Sequence, residues 1–188
     1  MKKTIIQIAL TIAIIVLAYF VYESIMQPIR FNKEKAIRDA KVIERLKDIR
    51  TAQVSYKSVH NEYAADFEKL TDFLKNGQFP VVRKEGDEDD STAIIIRDTT
   101  YVSVFDSIFK DKDIKFIDSI PYIPYGEGEK FTLRADKIER SRVIIPVFEV
   151  FAANEQFLKG LKTSNMVDLK EGLKVGSMDS PSIDGNWE

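Results

Sequence analysis

The stretch Thr4-Ile5-Ile6-Gln7-Ile8-Ala9-Leu10-Thr11-Ile12-Ala13-Ile14-Ile15-Val16-Leu17-Ala18-Tyr19-Phe20-Val21-Tyr22 decides how the rest of the chain is read. Its nineteen residues carry no charge, and its only polar members are Thr4, Gln7, Thr11 and the two tyrosines. Coiled as a helix it covers roughly 28 Å, close to the hydrocarbon thickness of a bilayer. Tyr19, Phe20 and Tyr22 close it in the manner of an interfacial aromatic belt, and Ile25, Met26 and Ile29 carry the apolar character past Glu23. Residues 1–29 are therefore expected to form a transmembrane anchor, marked by Thr4, Gln7, Tyr19, Phe20 and Tyr22.

A cleaved secretory signal also begins with lysines and an apolar run. This run exceeds the roughly 7 to 15 residues of a signal core, and Ala18-Tyr19-Phe20 places bulk where cleavage needs small residues. A signal anchor is the better reading. For orientation, Lys2 and Lys3 precede the segment, whereas Arg30, Lys33, Lys35, Arg38 and Lys41 follow it. That count alone draws the C-terminal side into the cytoplasm. The signal-like start and the three-residue leading tail argue for the opposite. The expectation is a single pass through the bacterial cytoplasmic (inner) membrane, with the C-terminal domain outside the cytoplasm.

Residues 30–188 suffice for one domain with its own core. The absence of cysteine excludes a disulfide framework and thiolate metal sites. The formal net charge of −2 hides a division. Residues 30–60 hold nine Lys/Arg against four Asp/Glu, and residues 61–188 hold seventeen against twenty-five. A basic stalk beside the membrane carries an acidic head. The stalk's cations can attract anionic lipid, but interleaved acids and an acidic head repel phosphate, so no nucleic acid is expected as a partner.

Pro28 ends or kinks the first helix in this reading, and Asn32 caps the next. From there Ile37, Ala40, Ile43, Leu46, Ile49, Ala52, Tyr56 and Val59 recur every three or four residues, with Val42 and Gln53 beside them. This predicts an amphipathic stalk helix over 30–62, its stripe either packed on the head or paired with a second copy. His60-Asn61-Glu62-Tyr63 breaks it. A short helix capped by Asp66 follows through Phe67, Leu70, Phe73 and Leu74, stopped by Asn76-Gly77 as a left-handed cap.

In the rest of the head (63–175), Phe79-Val82 reads as extended and Lys84-Asp90 as a charged loop. Ala93-Arg97 and Thr100-Phe105 read as strands joined by a turn at Asp98-Thr99. Pro121, Pro124, Gly126 and Gly128 mark a connector, and Phe131-Ile138 and Arg142-Phe151 are strands, the second placed at an edge or bulge by Pro146. Asn154 caps a short helix with Phe157, Leu158 and Leu161, Leu173-Val175 is a last strand, and 176–188 is an irregular tail. The fold class is α+β: a transmembrane helix continuing into a long amphipathic helix packed on a small antiparallel sheet.

The run Leu46-Lys47-Asp48-Ile49-Arg50-Thr51-Ala52-Gln53-Val54-Ser55-Tyr56-Lys57-Ser58-Val59-His60-Asn61-Glu62-Tyr63 resembles the end of the long helix of type II secretion pseudopilins, where a Tyr precedes an Asn-type turn and a second Tyr. Phe67, Leu70 and Phe73 fall where that family's short helix follows. The resemblance spans roughly residues 4–75 and extends to type IV pilins. It implies a membrane-anchored structural or assembly protein of the cell envelope, acting by association with itself or with other envelope membrane proteins. Two family features are missing: no Gly precedes the anchor, and Gln7 stands where a Glu is usual. A neutral amide hydrogen-bonds in lipid but does not ion-pair with a neighbour's terminal amine.

The expected partner contacts are Gln7, Ile43, Leu46, Ile49, Tyr56 and Trp187. Catalytic, cofactor and metal residues are not expected. His60, the single histidine, is better read as a capping residue than as an acid/base. The acids Glu85, Asp87, Glu88, Asp89 and Asp90 lack the spacing of a calcium loop. Gly126-Glu127-Gly128 is not a phosphate loop, and Pro121 to Pro124 is a turn. A tethered ligand-binding or regulatory domain is the alternative, with Tyr101, Phe105, Tyr122 and Tyr125 as pocket candidates; an envelope hydrolase is the lesser one.

Overall fold

A computed structural model describes residues 2–85, 96–161 and 166–188 of the chain. One helix, α1 (Lys2–His60), occupies nearly a third of the sequence. It passes through Pro28 and Asn32 without a break, so Pro28 does not end the helix and the Asn32 cap is corrected. Proline removes one backbone bond, here the one Ser24's carbonyl would accept, and the turns on either side carry the helix past that gap. The end of α1 is where the sequence places it. Asn61 adopts the left-handed conformation (φ 59°) and donates its N–H to the Lys57 carbonyl at 2.8 Å.

Helix α2 (Phe67–Asn76) starts as expected, with the Asp66 carboxylate accepting from the Lys69 N–H at 2.8 Å. Its stop differs. Gly77 is extended (φ −72°), and a side chain there would bring a Cβ to 2.4 Å from the Phe73 carbonyl oxygen. Close approach, rather than a left-handed turn, is what glycine supplies at this position.

Strands β1 (Gln78–Glu85) and β2 (Ile96–Ser103) form a separate antiparallel pair, in register from Gln78↔Ser103 to Glu85↔Ile96. Asp98 and Thr99 are paired inside β2, opposite Arg83 and Val82, so they are not the hairpin turn. Residues 86–95, including the acidic run Asp87–Asp90 and Ala93–Ile95, lie outside the described residues. Val104 and Phe105 leave the expected strand to begin α3 (Val104–Ile108), capped by the Ser103 hydroxyl; α4 (Phe116–Ser119) follows in the segment without a clean period.

The second sheet is antiparallel with order β3-β4-β5: β3 (Thr132–Arg140), β4 (Val143–Ala153) and β5 (Gly172–Gly176). Ser141 and Arg142, both at positive φ, make the two-residue turn between β3 and β4. Strand β4 is central, contrary to the edge placement, but β5 pairs only with Glu149–Ala153, which leaves Pro146 on an open stretch. Alternation from the Arg140↔Val143 pair turns the Pro146 nitrogen away from β3, toward that open side, where no donor is needed. Asn154 opens α5 (Asn154–Phe157) rather than capping it, and its side chain donates to the Asp168 carbonyl at 2.7 Å.

The irregular tail is tied down. Gly176 N–H donates to the Asp184 carbonyl, Asn186 N–H to the Lys174 carbonyl, and Val175 bridges Gly185, so the tail covers the outer edge of β5. One cluster of buried apolar side chains includes Val42, Leu46, Ile49 and Ala52 of α1, Leu70 and Leu74 of α2, Val104 and Phe105 of α3, and Phe148, Val150 and Val175 of the second sheet. The class is α+β, a long N-terminal helix with small antiparallel sheets.

Candidate functional site

The apolar segment Thr4–Tyr22 is exposed on every side, and its most apolar window has none of its residues buried in the protein. By length and composition it is a candidate membrane span, fitting a transmembrane or signal anchor. Thr11 donates its hydroxyl to the Gln7 carbonyl at 3.0 Å, which satisfies that side chain inside the helix. Tyr19 and Phe20 meet edge-on at 6.1 Å between ring centres, with Tyr22 exposed beside them. These rings form a collar at one level of the rod.

Above the collar, the apolar series proposed for one face divides between two. Residues spaced by three fall back about 60° per step on a helix, so nine residues reach the opposite side. Leu46 is 0% exposed, whereas Ile37, nine residues earlier, is 48% exposed. The buried face runs through Val42, Leu46, Ile49 and Gln53 at mixed spacings of four and three. Leu46 and Ile49, expected as partner contacts, are fully buried in the chain's own core. Ile43 is half-buried. Tyr56, also half-buried, lies 4.3 Å from the His60 ring and edge-on to Phe73 at 5.1 Å.

Trp187 is half-buried against the core, its indole Nε1 buried without an acceptor. The ring lies over Gly185, where a Cβ would stand 2.3 Å from it. Next to it, the Arg50 guanidinium donates to the Glu188 carboxylate at 2.9 Å. That hydrogen bond, with one from the Gly185 N–H, holds the Glu188 carboxyl below its ordinary range.

The basic stalk residues have a role that composition did not reveal. Arg38 donates to the carbonyls of Phe157 (3.0 Å) and Lys159 (2.8 Å), and Arg45 donates to the Ser119 carbonyl while its guanidinium lies 4.8 Å over the Phe116 ring. Burial lowers the Arg45 pKa, with Asp48 and Glu44 acting in the other direction. Lys112 reaches from the head to Asp48 at 2.6 Å. Arg38 and Arg45 stand seven residues apart, two turns on one face, and this spacing was the signal available in the sequence.

The expected aromatic pocket does not assemble. Phe105 is in the core against Phe109 (5.8 Å), Tyr101 is exposed, and Tyr122 and Tyr125 lie under the amine of Lys130 and the guanidinium of Arg38. Pro121 to Gly128 is a compact turn in which the Ile123 N–H donates to the Glu129 carbonyl. Glu149 is 9% exposed and accepts from Arg134 at 2.6 Å and Lys174 at 3.1 Å across three strands. Burial acts to raise its pKa, but the two cations hold the carboxyl below the ordinary range. Among the described residues no three His, Cys, Asp or Glu side chains gather as metal ligands. Comparison with protein-family models, curated proteins and solved structures finds no match for this chain.

Proposed function

We propose that this chain is a single-pass membrane-anchored structural or assembly protein of the bacterial cell envelope, built on pilin-like lines and acting by association rather than by chemistry. The observation that carries the reading is the uncharged, fully exposed segment Thr4–Tyr22, continuous as one helix with the stalk. An apolar rod exposed on every side needs lipid or other helices around it. In this reading the stalk docks on the head sheet through Val42, Leu46 and Ile49, supported by the shared buried cluster and the Arg38, Arg45 and Arg50 contacts. The head is extracytoplasmic, and Gln7 makes the anchor's polar contact with a neighbouring helix, worth about 0.6 to 2 kcal/mol.

Topology is the first test. Reporters active only outside or only inside the cytoplasm are fused after Glu188 of the full chain. Activity of the outside reporter supports the assignment, and activity of the inside reporter ends it. Crosslinking of anchors in membranes then tests self-association, with Gln7→Leu expected to weaken it about threefold or more.

A further inference from the structure

Of the margins of the second sheet, β5 is covered by the tail, and the stretch of β4 that β5 leaves bare is interrupted by Pro146. The margin at β3 is different. The Arg140↔Val143 pair sets the alternation, so Leu133, Ala135, Lys137 and Glu139 turn their N–H and C=O groups away from β4. Among the described residues one hydrogen bond reaches the backbone of this row: the Lys137 N–H donates to the Asp136 carboxylate at 2.8 Å.

A groove of about 290 Å³ follows the same margin. Its sheet residues are Ala135, Asp136 and Lys137, which belong to both faces of β3, with none from β4, so it flanks the edge rather than lying on a face. The opposite wall is the end of α1 and the link to α2, with Tyr56, Tyr63 and Ala65. That wall is fixed to the core. Tyr63 packs on Phe148 at 4.5 Å between ring centres, and Phe148 is the β4 partner of Ala135.

We propose that this edge receives an extended segment of another protein as an antiparallel fourth strand, reading base, aliphatic, acid opposite Asp136, Ala135 and Arg134. The residue opposite Ala135 exchanges both backbone bonds with it and turns its side chain to the Tyr63 face. Its two neighbours stand on the outer face, where Asp136 is exposed and Arg134 is 63% exposed despite its bond to Glu149. Opposite charges directly across a strand pair stabilise it and like charges oppose it. The chain's own Arg134-Ala135-Asp136 has the same order, but antiparallel pairing of two copies sets their stalks in opposite directions. Strand β3 rises along α1: Glu129, just before it, is held by Lys159, whose carbonyl binds Arg38, and Lys137 meets Glu62 at 2.9 Å. Two apolar segments side by side in one bilayer exclude that pairing, so the choice of a foreign strand rests on the membrane-anchor reading.

The test titrates the full-length chain in detergent into a fluorescein-labelled peptide, Thr-Lys-Val-Asp-Val-Thr, and reads anisotropy. Thr-Asp-Val-Lys-Val-Thr, of identical composition, is expected to bind about tenfold more weakly. Methylation of the first valine nitrogen removes the donor to the Ala135 carbonyl, with a similar loss expected. Asp136→Lys, shown to be folded by circular dichroism, is expected to prefer Thr-Asp-Val-Asp-Val-Thr to the original peptide by about threefold; if it does not fold, the three peptides on the native chain decide. Equal binding of those three, or none up to about 1 mM, by a chain that floats with lipid vesicles overturns the edge site and leaves the anchor standing. An unchanged preference in folded Asp136→Lys also overturns it. A native dimer in light scattering that Asp136→Lys dissolves puts a second copy on β3, which overturns both the foreign strand and the side-by-side anchors.

Discussion

Gln53 and Ala64 are joined like one rung of a β-ladder: the Gln53 Nε2 donates to the Ala64 carbonyl at 3.0 Å, and the Ala64 N–H donates to the Gln53 Oε1 at 2.9 Å. Gln53 is fully buried. A side chain of the long helix thereby satisfies both backbone groups of the segment that turns away from it after His60, and fixes where α2 begins.

Gln53→Leu keeps the bulk and removes both bonds, leaving a buried N–H and a buried carbonyl without partners. The expected loss is about 2 to 4 kcal/mol. Urea unfolding of the full chain in detergent, followed by the head's circular dichroism, reads it out. A loss below about 0.5 kcal/mol would show that water replaces the amide there.

Leu46→Ala and Ile37→Ala remove aliphatic side chains from opposite faces of α1. The first opens a cavity in the buried cluster and is expected to cost about 2 to 5 kcal/mol. The second alters an exposed position and is expected to stay within about 1 kcal/mol. Equal losses in the same unfolding measurement contradict the assignment of faces.

Gly185→Ala drives a Cβ into the Trp187 ring, 2.3 Å away in the present geometry. The ring must leave the core or the tail must lift from β5, at about 1 to 3 kcal/mol. As the chain has a single tryptophan, its emission reports this directly: a red shift in the variant is expected, and an unchanged spectrum would mean the ring already sits in water.

Glu149 gives the acid dependence a sign. Its carboxyl titrates lower when folded than the ordinary 4.5 of the unfolded chain. The stability it contributes is therefore complete above the unfolded value and disappears as pH falls through the folded one. Between about pH 5 and pH 3 the native chain should lose more stability than Glu149→Gln, read as the shift in urea midpoint at each pH. Parallel loss in both proteins assigns the acid sensitivity to other carboxylates.

The sequence disclosed what local chemistry controls. The apolar run, the Asn61 turn, the Asp66 cap and strands β3, β4 and β5 were all readable, because each depends on a few adjacent residues. What it concealed depends on rotation or on distant partners. The series Ile37, Ala40, Ile43, Leu46 looked like one stripe, although spacing by threes winds it around the rod. Pro28 read as a stop or a kink because its local cost of about 3 kcal/mol is visible, whereas the support of the surrounding turns, which carries the helix past it, is not. The Arg38 and Arg45 contacts were hidden because their acceptors are backbone carbonyls more than seventy residues away.

The unbroken passage of α1 from Lys2 to His60 turns the protein into a shaft with a cam fixed to it. With no swivel between the ends, the compass direction of the head in the proposed assembly is set by the angle at which the apolar segment would meet its neighbours. One alanine added after Pro28 would swing the head by about 100° while raising it only about 1.5 Å. Two, three and four additions would step it around the circle and nearly home again, so any activity that depends on neighbouring heads facing one another should fall and return with the phase of the helix.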